Sequence, residues 1–77
     1  GLMRISVIGT GYVGLVSGAC FAEIGHDCIC VDVDVRKVES INRGVPPIHE
    51  NGLEELLHRH VGTRLRASDD LAAAVRD

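Results

Sequence analysis

Two features of this 77-residue sequence could do chemistry: a glycine-rich stretch near its start and an acid downstream of it. Gly9-Thr10-Gly11-Tyr12-Val13-Gly14 fits G-x-G-x-x-G, the spacing of a loop that holds a diphosphate against the first turn of a helix. Each glycine has its own task. Gly9 lets the chain turn sharply out of a strand. Gly11 lacks a Cβ, so a pyrophosphate can come close to the backbone. Gly14, with Gly18 one turn later, allows a helix to pack tightly on a sheet. Thr10, Tyr12 and Val13 contribute backbone donors and a wall. The free N–H groups at the helix start, and its dipole, would hold the phosphates.

Asp32 follows Gly14 by 18 residues, close to the spacing of about 20 at which an acid meets the ribose of a bound dinucleotide. A carboxylate there can accept both ribose hydroxyls. It also repels a 2′-phosphate, since two unit charges ~4 Å apart cost about 4 kcal/mol at an effective dielectric near 20. The expected cofactor is therefore NAD rather than NADP. Arg36 and Lys37 could each pair with a phosphate, but Asp32 is expected at a rigid strand end. Asp34 reads as a helix cap.

The remaining reactive side chains point to structure. Cys28 and Cys30 are expected to point to opposite faces of a strand, where they could neither share a metal nor close a disulfide easily. Cys20 is expected on the buried stripe of the first helix as a small hydrophobe. His58 and His60 diverge on a predicted helix, with no H-E-x-x-H spacing. Glu54 and Glu55 read as a solvated helix start. No nucleophile–base–orienter set is expected and no metal site, so the candidate residues bind rather than catalyse.

These residues must be positioned by a small fold. A chain this short has little margin for a core. Hydrophobic residues are 45% and charged residues 25%, with nine glycines and two prolines. That composition excludes disordered, collagenous and low-complexity classes. The formal charge is −3, without a basic block, and only Tyr12 and Phe21 are aromatic. Nucleic acid is thus not an expected partner. No apolar run approaches a membrane span, and no secretory leader is visible. Three cysteines within apolar runs fit buried free thiols and a cytoplasmic location. Gly1-Leu2 before Met3 reads as an expression scar.

The apolar pattern alternates between strand and helix, the signature of parallel βαβ units. Strands are expected at Arg4–Ile8, Cys28–Val31 and Arg64–Ala67. A helix from Tyr12 to Ile24 should bury Val13, Val16, Cys20 and Ile24 and end at Gly25. Asp34 caps a second helix bearing Val35, Val38 and Ile41, closed by Gly44. Asn51, with Glu54 as reciprocal partner, is expected to cap a third helix carrying Leu53, Leu56, Leu57 and Val61. Ser68 is expected to cap a fourth, Leu71 to Val75. Residues 3–77 thus read as the first half of a Rossmann-type, doubly wound α/β domain with strand order 3-2-1, whose next strand lies beyond Asp77.

The opening Met3-Arg4-Ile5-Ser6-Val7-Ile8-Gly9-Thr10-Gly11-Tyr12-Val13-Gly14-Leu15 resembles that of the UDP-glucose/GDP-mannose dehydrogenases. So do Ser17 to Gly25, Val31-Asp32-Val33-Asp34 with Lys37-Val38, and Asn42-Arg43-Gly44 with Pro47-Ile48, Glu50 and Gly52-Leu53. Asn51 departs from the proline usual in that family. The resemblance implies that Gly11, Tyr12 and Val13 line NAD, that Asp32 binds the adenosine ribose, and that Lys37 lies beside it. It implies oxidation of a nucleotide sugar, UDP-glucose by the nearest likeness, from alcohol to carboxylate at C6. Two NAD are used, through a thioester on a cysteine in a second domain. None of Cys20, Cys28 or Cys30 matches that cysteine's motif, and a homo-oligomer is expected of the full-length protein. Two alternatives stay open: an NAD-linked dehydrogenase of the 3-hydroxyacyl-CoA or 6-phosphogluconate type, and a non-catalytic NAD-sensing module.

Overall fold

The computed structural model describes residues 3–76; Gly1, Leu2 and Asp77 lie outside that range. The elements run β1 (Arg4–Ile8), α1 (Tyr12–Ile24), β2 (Asp27–Val31), α2 (Val35–Asn42), α3 (Leu53–His60), β3 (Leu65–Ser68) and α4 (Leu71–Arg76). The strands form one parallel sheet in the order β1-β2-β3, which is the 3-2-1 arrangement read from the sequence. Ile5 pairs with Cys28 and Ile8 with Val31, while Cys28 pairs with Leu65 and Val31 with Ser68. Parallel neighbours cannot be joined by a tight turn. The helices between them therefore serve as crossovers, and all three strands end together beside the glycine loop.

The core lies between the sheet and α1, α2 and α3, and contains Leu15, Ala19, Ala22, Cys28, Cys30, Ile41, Leu53, Leu57, Leu65 and Ala67. On the other face α4 meets β1, where the Ser6 hydroxyl donates to the Ala74 carbonyl at 3.1 Å.

The buried stripe of α1 differs from the expected one. Leu15, Gly18, Ala19 and Ala22 are buried, whereas Val13 is 73% exposed, Ile24 is 63% exposed and Cys20 is also exposed; only Val16 packs partly against the core. The helix is apolar nearly all round, so helical periodicity admits two stripes. Close packing selects the smaller one. A Cβ on Gly18 would sit 2.7 Å from Cys30 Sγ and 3.3 Å from Cys28 Sγ.

That same contact corrects the cysteine geometry. Side chains two apart on a strand share a face, so Cys28 and Cys30 both point at α1. They are buried, and their thiols hydrogen-bond each other. The Cys28 thiol is lowered by that bond, and Cys30 is raised by the same bond and by burial.

The helix entries show two further corrections. Asn51 does not cap α3; Gly52 occupies that position at φ +83°, with no side-chain cap, and Leu53 N–H donates to the Glu50 carbonyl. An Asn-Gly turn has replaced the expected side-chain cap, and the acids Glu54 and Glu55 complement the helix dipole instead. Ser68 is the last residue of β3. Its Oγ accepts the Asp70 N–H at 3.0 Å, and Asp70 Oδ1 accepts the Ala73 N–H at 3.0 Å, so Asp70 caps α4. By contrast, Asp34 Oδ1 accepts the Arg36 N–H at 3.0 Å as expected. Gly25 closes α1 at φ +116°.

Beyond the family likeness, the sequence assigns Asn42 no structural task. From the end of α2 its amide donates to the Ala67 carbonyl at 2.9 Å and accepts the Ala67 N–H at 2.8 Å. It takes the place of a neighbouring strand on the outer edge of β3, a position that otherwise invites pairing with another chain. Asn42→Ala should cost about 1–3 kcal/mol, because it strands both Ala67 groups; a shift of the urea midpoint with unchanged slope would show this.

Candidate functional site

The glycine loop leaves β1 at its carboxyl end. Gly9 turns at φ +97° and its N–H donates to the Val31 carbonyl at 2.6 Å, which ties the loop to the end of β2. Gly14 is required by packing, since a Cβ there would lie 2.5 Å from the Gly9 carbonyl oxygen and 3.3 Å from Val7 Cγ1.

Gly11 is different. Its φ of −67° and ψ of 179° are open to any residue, and a Cβ on it would meet nothing within 4 Å. Neither conformation nor internal packing demands glycine there. The position is open to a group that approaches from outside. Gly11 also begins α1 without a side-chain cap, so the first-turn N–H groups face outward beyond the reach of helical acceptors. Tyr12 and Val13 flank this mouth, 55% and 73% exposed.

Asp32 stands where β2 ends, and its N–H donates to the Ser68 carbonyl at 3.0 Å. Its side chain turns towards the glycine loop. Oδ2 accepts the Thr10 N–H at 3.0 Å and the Thr10 hydroxyl at 2.5 Å, and Oδ1 accepts the Asp34 N–H at 2.8 Å. The Thr10 hydroxyl holds the carboxyl below its usual range. The Asp34 amide adds to this, burial opposes it, and the Thr10 amide and the Lys37 charge lower it a little further. A carboxylate offers about four acceptor positions. Three are already filled, which leaves one open on Oδ1.

One contact at the mouth was not foreseen. The Tyr12 hydroxyl hydrogen-bonds the Glu50 carboxylate, and that bond raises the phenol above its usual value, with the Glu50 charge adding to it. It joins two motifs 38 residues apart in sequence, a pairing that no periodicity could indicate.

Other candidate residues stand apart from the loop. His60 Nε2 lies 2.6 Å from Glu23 Oε1, and Arg59 Nη1 contacts both Glu23 oxygens at 2.8 and 3.0 Å. Glu23 is therefore held below the usual carboxylate range, first by His60 and then by Arg59, in a clasp of α3 onto α1. No group of three or more metal-ligating side chains occurs among the described residues, and no described helix is long and apolar enough to cross a membrane. A hollow of about 610 Å³ lies on the sheet face next to α4, lined by Arg4, Ser6, Ile29, Arg66 and Ala74 among others. It is a broad, open depression distant from the glycine loop.

The NAD-binding domain of the UDP-glucose/GDP-mannose dehydrogenase family matches residues 3–77. The chain belongs to that family. It is 56% identical over 68 residues to the UDP-glucose 6-dehydrogenase AglM of Haloferax volcanii, covering 88% of this chain and 16% of that protein. It is 50% identical over 76 residues to the UDP-glucose 6-dehydrogenase TuaD of Bacillus subtilis, covering 97% and 16%. Among solved structures, a ternary complex of GDP-mannose dehydrogenase from Pseudomonas aeruginosa superposes with a TM-score of 0.94 at 47% identity, covering 97% of this chain and 17% of that one. The chain thus spans about a sixth of the relatives it matches.

In this NAD-binding domain the glycines separate by experiment. Gly14→Ala should destabilise the fold by about 1–3 kcal/mol through overpacking, whereas Gly11→Ala should leave the urea midpoint unchanged or raised and weaken NAD binding at least ~10-fold. Asp32 also has a pH signature. Its folded value is depressed, so its stabilisation is complete above the unfolded value near 3.8 and is lost as pH falls through the lower folded one. The stability gap between the wild type and Asp32→Ala, followed by urea melts from neutral pH downward, should hold constant and then close below that value.

Proposed function

We propose that this chain carries the cofactor site of an enzyme that oxidises C6 of UDP-glucose from alcohol to carboxylate, using two NAD. Gly9, Gly11 and Gly14 shape the cradle, and the first-turn amides beside Thr10, Tyr12 and Val13 hold the diphosphate. Asp32 takes an adenosine ribose hydroxyl at its open Oδ1 position, with Lys37 beside it. The observation that carries this reading is Gly11: an open approach to uncapped amides, with no reason in the fold for a missing side chain.

NAD bound here supplies the hydride acceptor. The chain's own residues fix its adenosine half and exclude a 2′-phosphate, because Asp32 stays ionised throughout the neutral range. Catalytic residues for the sugar belong outside these 77 positions, and the full-length protein is taken to be a homo-oligomer. UDP-glucose is preferred over GDP-mannose on a small margin of identity, 56% and 50% for the UDP-glucose relatives against 48% for a GDP-mannose 6-dehydrogenase.

Titration with each cofactor should give NADP at least ~10-fold weaker binding than NAD; equal affinity would overturn the role of Asp32. NAD reduction by the full-length protein should proceed with UDP-glucose and yield two NADH per product. Turnover with GDP-mannose alone would replace the substrate while keeping the cofactor site.

A further inference from the structure

Thr10 is 1% exposed, the one buried polar residue in the described core. Buried hydroxyls must be hydrogen-bonded or they destabilise the fold. This one donates to Asp32 Oδ2 at 2.5 Å, and the Thr10 amide donates to the same oxygen at 3.0 Å. With Asp34 N–H on Oδ1 at 2.8 Å, the carboxylate is held at both oxygens from two sides.

The consequence is geometric. A free aspartate rotates about χ1 and χ2, and an anion arriving nearby could turn it aside. Here, rotation breaks two bonds to Thr10, one of them charge-assisted and short, and leaves a buried hydroxyl unpaired. The negative charge is therefore fixed in place before any ligand arrives, and only one acceptor position on Oδ1 remains open. A fixed charge is a stronger discriminator than a mobile one, because a 2′-phosphate cannot displace it without that loss.

We propose that Thr10 is the positioning residue for cofactor selectivity: its side-chain hydroxyl locks Asp32 in the orientation that admits a ribose hydroxyl and rejects a 2′-phosphate. This assigns the Thr10 side chain a role beyond that of a backbone donor, and it rests on the ribose-binding reading of Asp32.

The test is the ratio of NADP to NAD dissociation constants, measured by calorimetric titration of the full-length protein for wild type, Thr10→Val, Thr10→Ser and Asp32→Ala. Thr10→Val keeps the branched shape and removes the hydroxyl. It should weaken NAD about 5- to 10-fold and compress the NADP/NAD ratio by at least ~5-fold, as expected for losing a hydrogen bond to a charged group. Thr10→Ser should restore both to within ~2-fold of wild type. A purely structural role would lower both affinities together and leave the ratio intact.

Compression of the ratio in Asp32→Ala but not in Thr10→Val would overturn the Thr10 proposal alone. An unchanged ratio in both variants would overturn the ribose reading itself. Should Thr10→Val fail to fold, the unaltered protein still decides: a slowly exchanging Thr10 hydroxyl proton, seen by NMR with a coupling across to Asp32, is expected. A rapidly exchanging hydroxyl would refute the lock.

Discussion

Everything at this site depends on how closely α1 can approach the sheet. Gly14 lies where a Cβ would strike the Gly9 carbonyl, and Gly18 where one would strike the Cys30 sulfur. With side chains at those two positions the helix would stand further off, and its first turn would move away from the ends of β1 and β2. The Thr10 amide and hydroxyl reach the Asp32 carboxylate from the loop that leads into this helix. The contact of helix with sheet is one of missing atoms, and it couples core packing directly to the binding surface.

A second coupling runs through the loop itself. Gly9 N–H is bonded to the last carbonyl of β2, and Thr10 is bonded through both its amide and its hydroxyl to Asp32, the next residue. The glycine loop and Asp32 are therefore one rigid unit, so a ligand that touches both meets them in a fixed relative position. Beside this unit, the Glu50 carboxylate from the segment before α3 meets the Tyr12 hydroxyl.

The membership of the chain in the UDP-glucose/GDP-mannose dehydrogenase family fits this division of labour. The candidate binding residues, the glycine loop and Asp32, lie at the carboxyl ends of the parallel strands. The reactive side chains elsewhere are committed to structure. Cys28 and Cys30 line the seat of α1, and Glu23, Arg59 and His60 join α1 to α3.

The sequence by itself determined the strand–helix alternation, the strand order, the glycine loop and the acid behind it. Those features are written in local chemistry: β-branched runs, helical periods, and glycines at fixed intervals beside a strand. Three matters were decided only in three dimensions. The buried face of α1 was ambiguous because both candidate stripes are apolar, and the packing distance to Cys30 chose between them. The entry to α3 passed from Asn51 to Gly52 because the turn before it, and not the capping preference of one residue, set the backbone. The grip of Thr10 on Asp32 joins residues 22 apart; each could be named as a candidate from the motif, but their bond exists only because β1 and β2 pair in this register. Spacing along a chain can say which residues are available, whereas donor and acceptor must be brought within 3 Å by the fold before either has a partner.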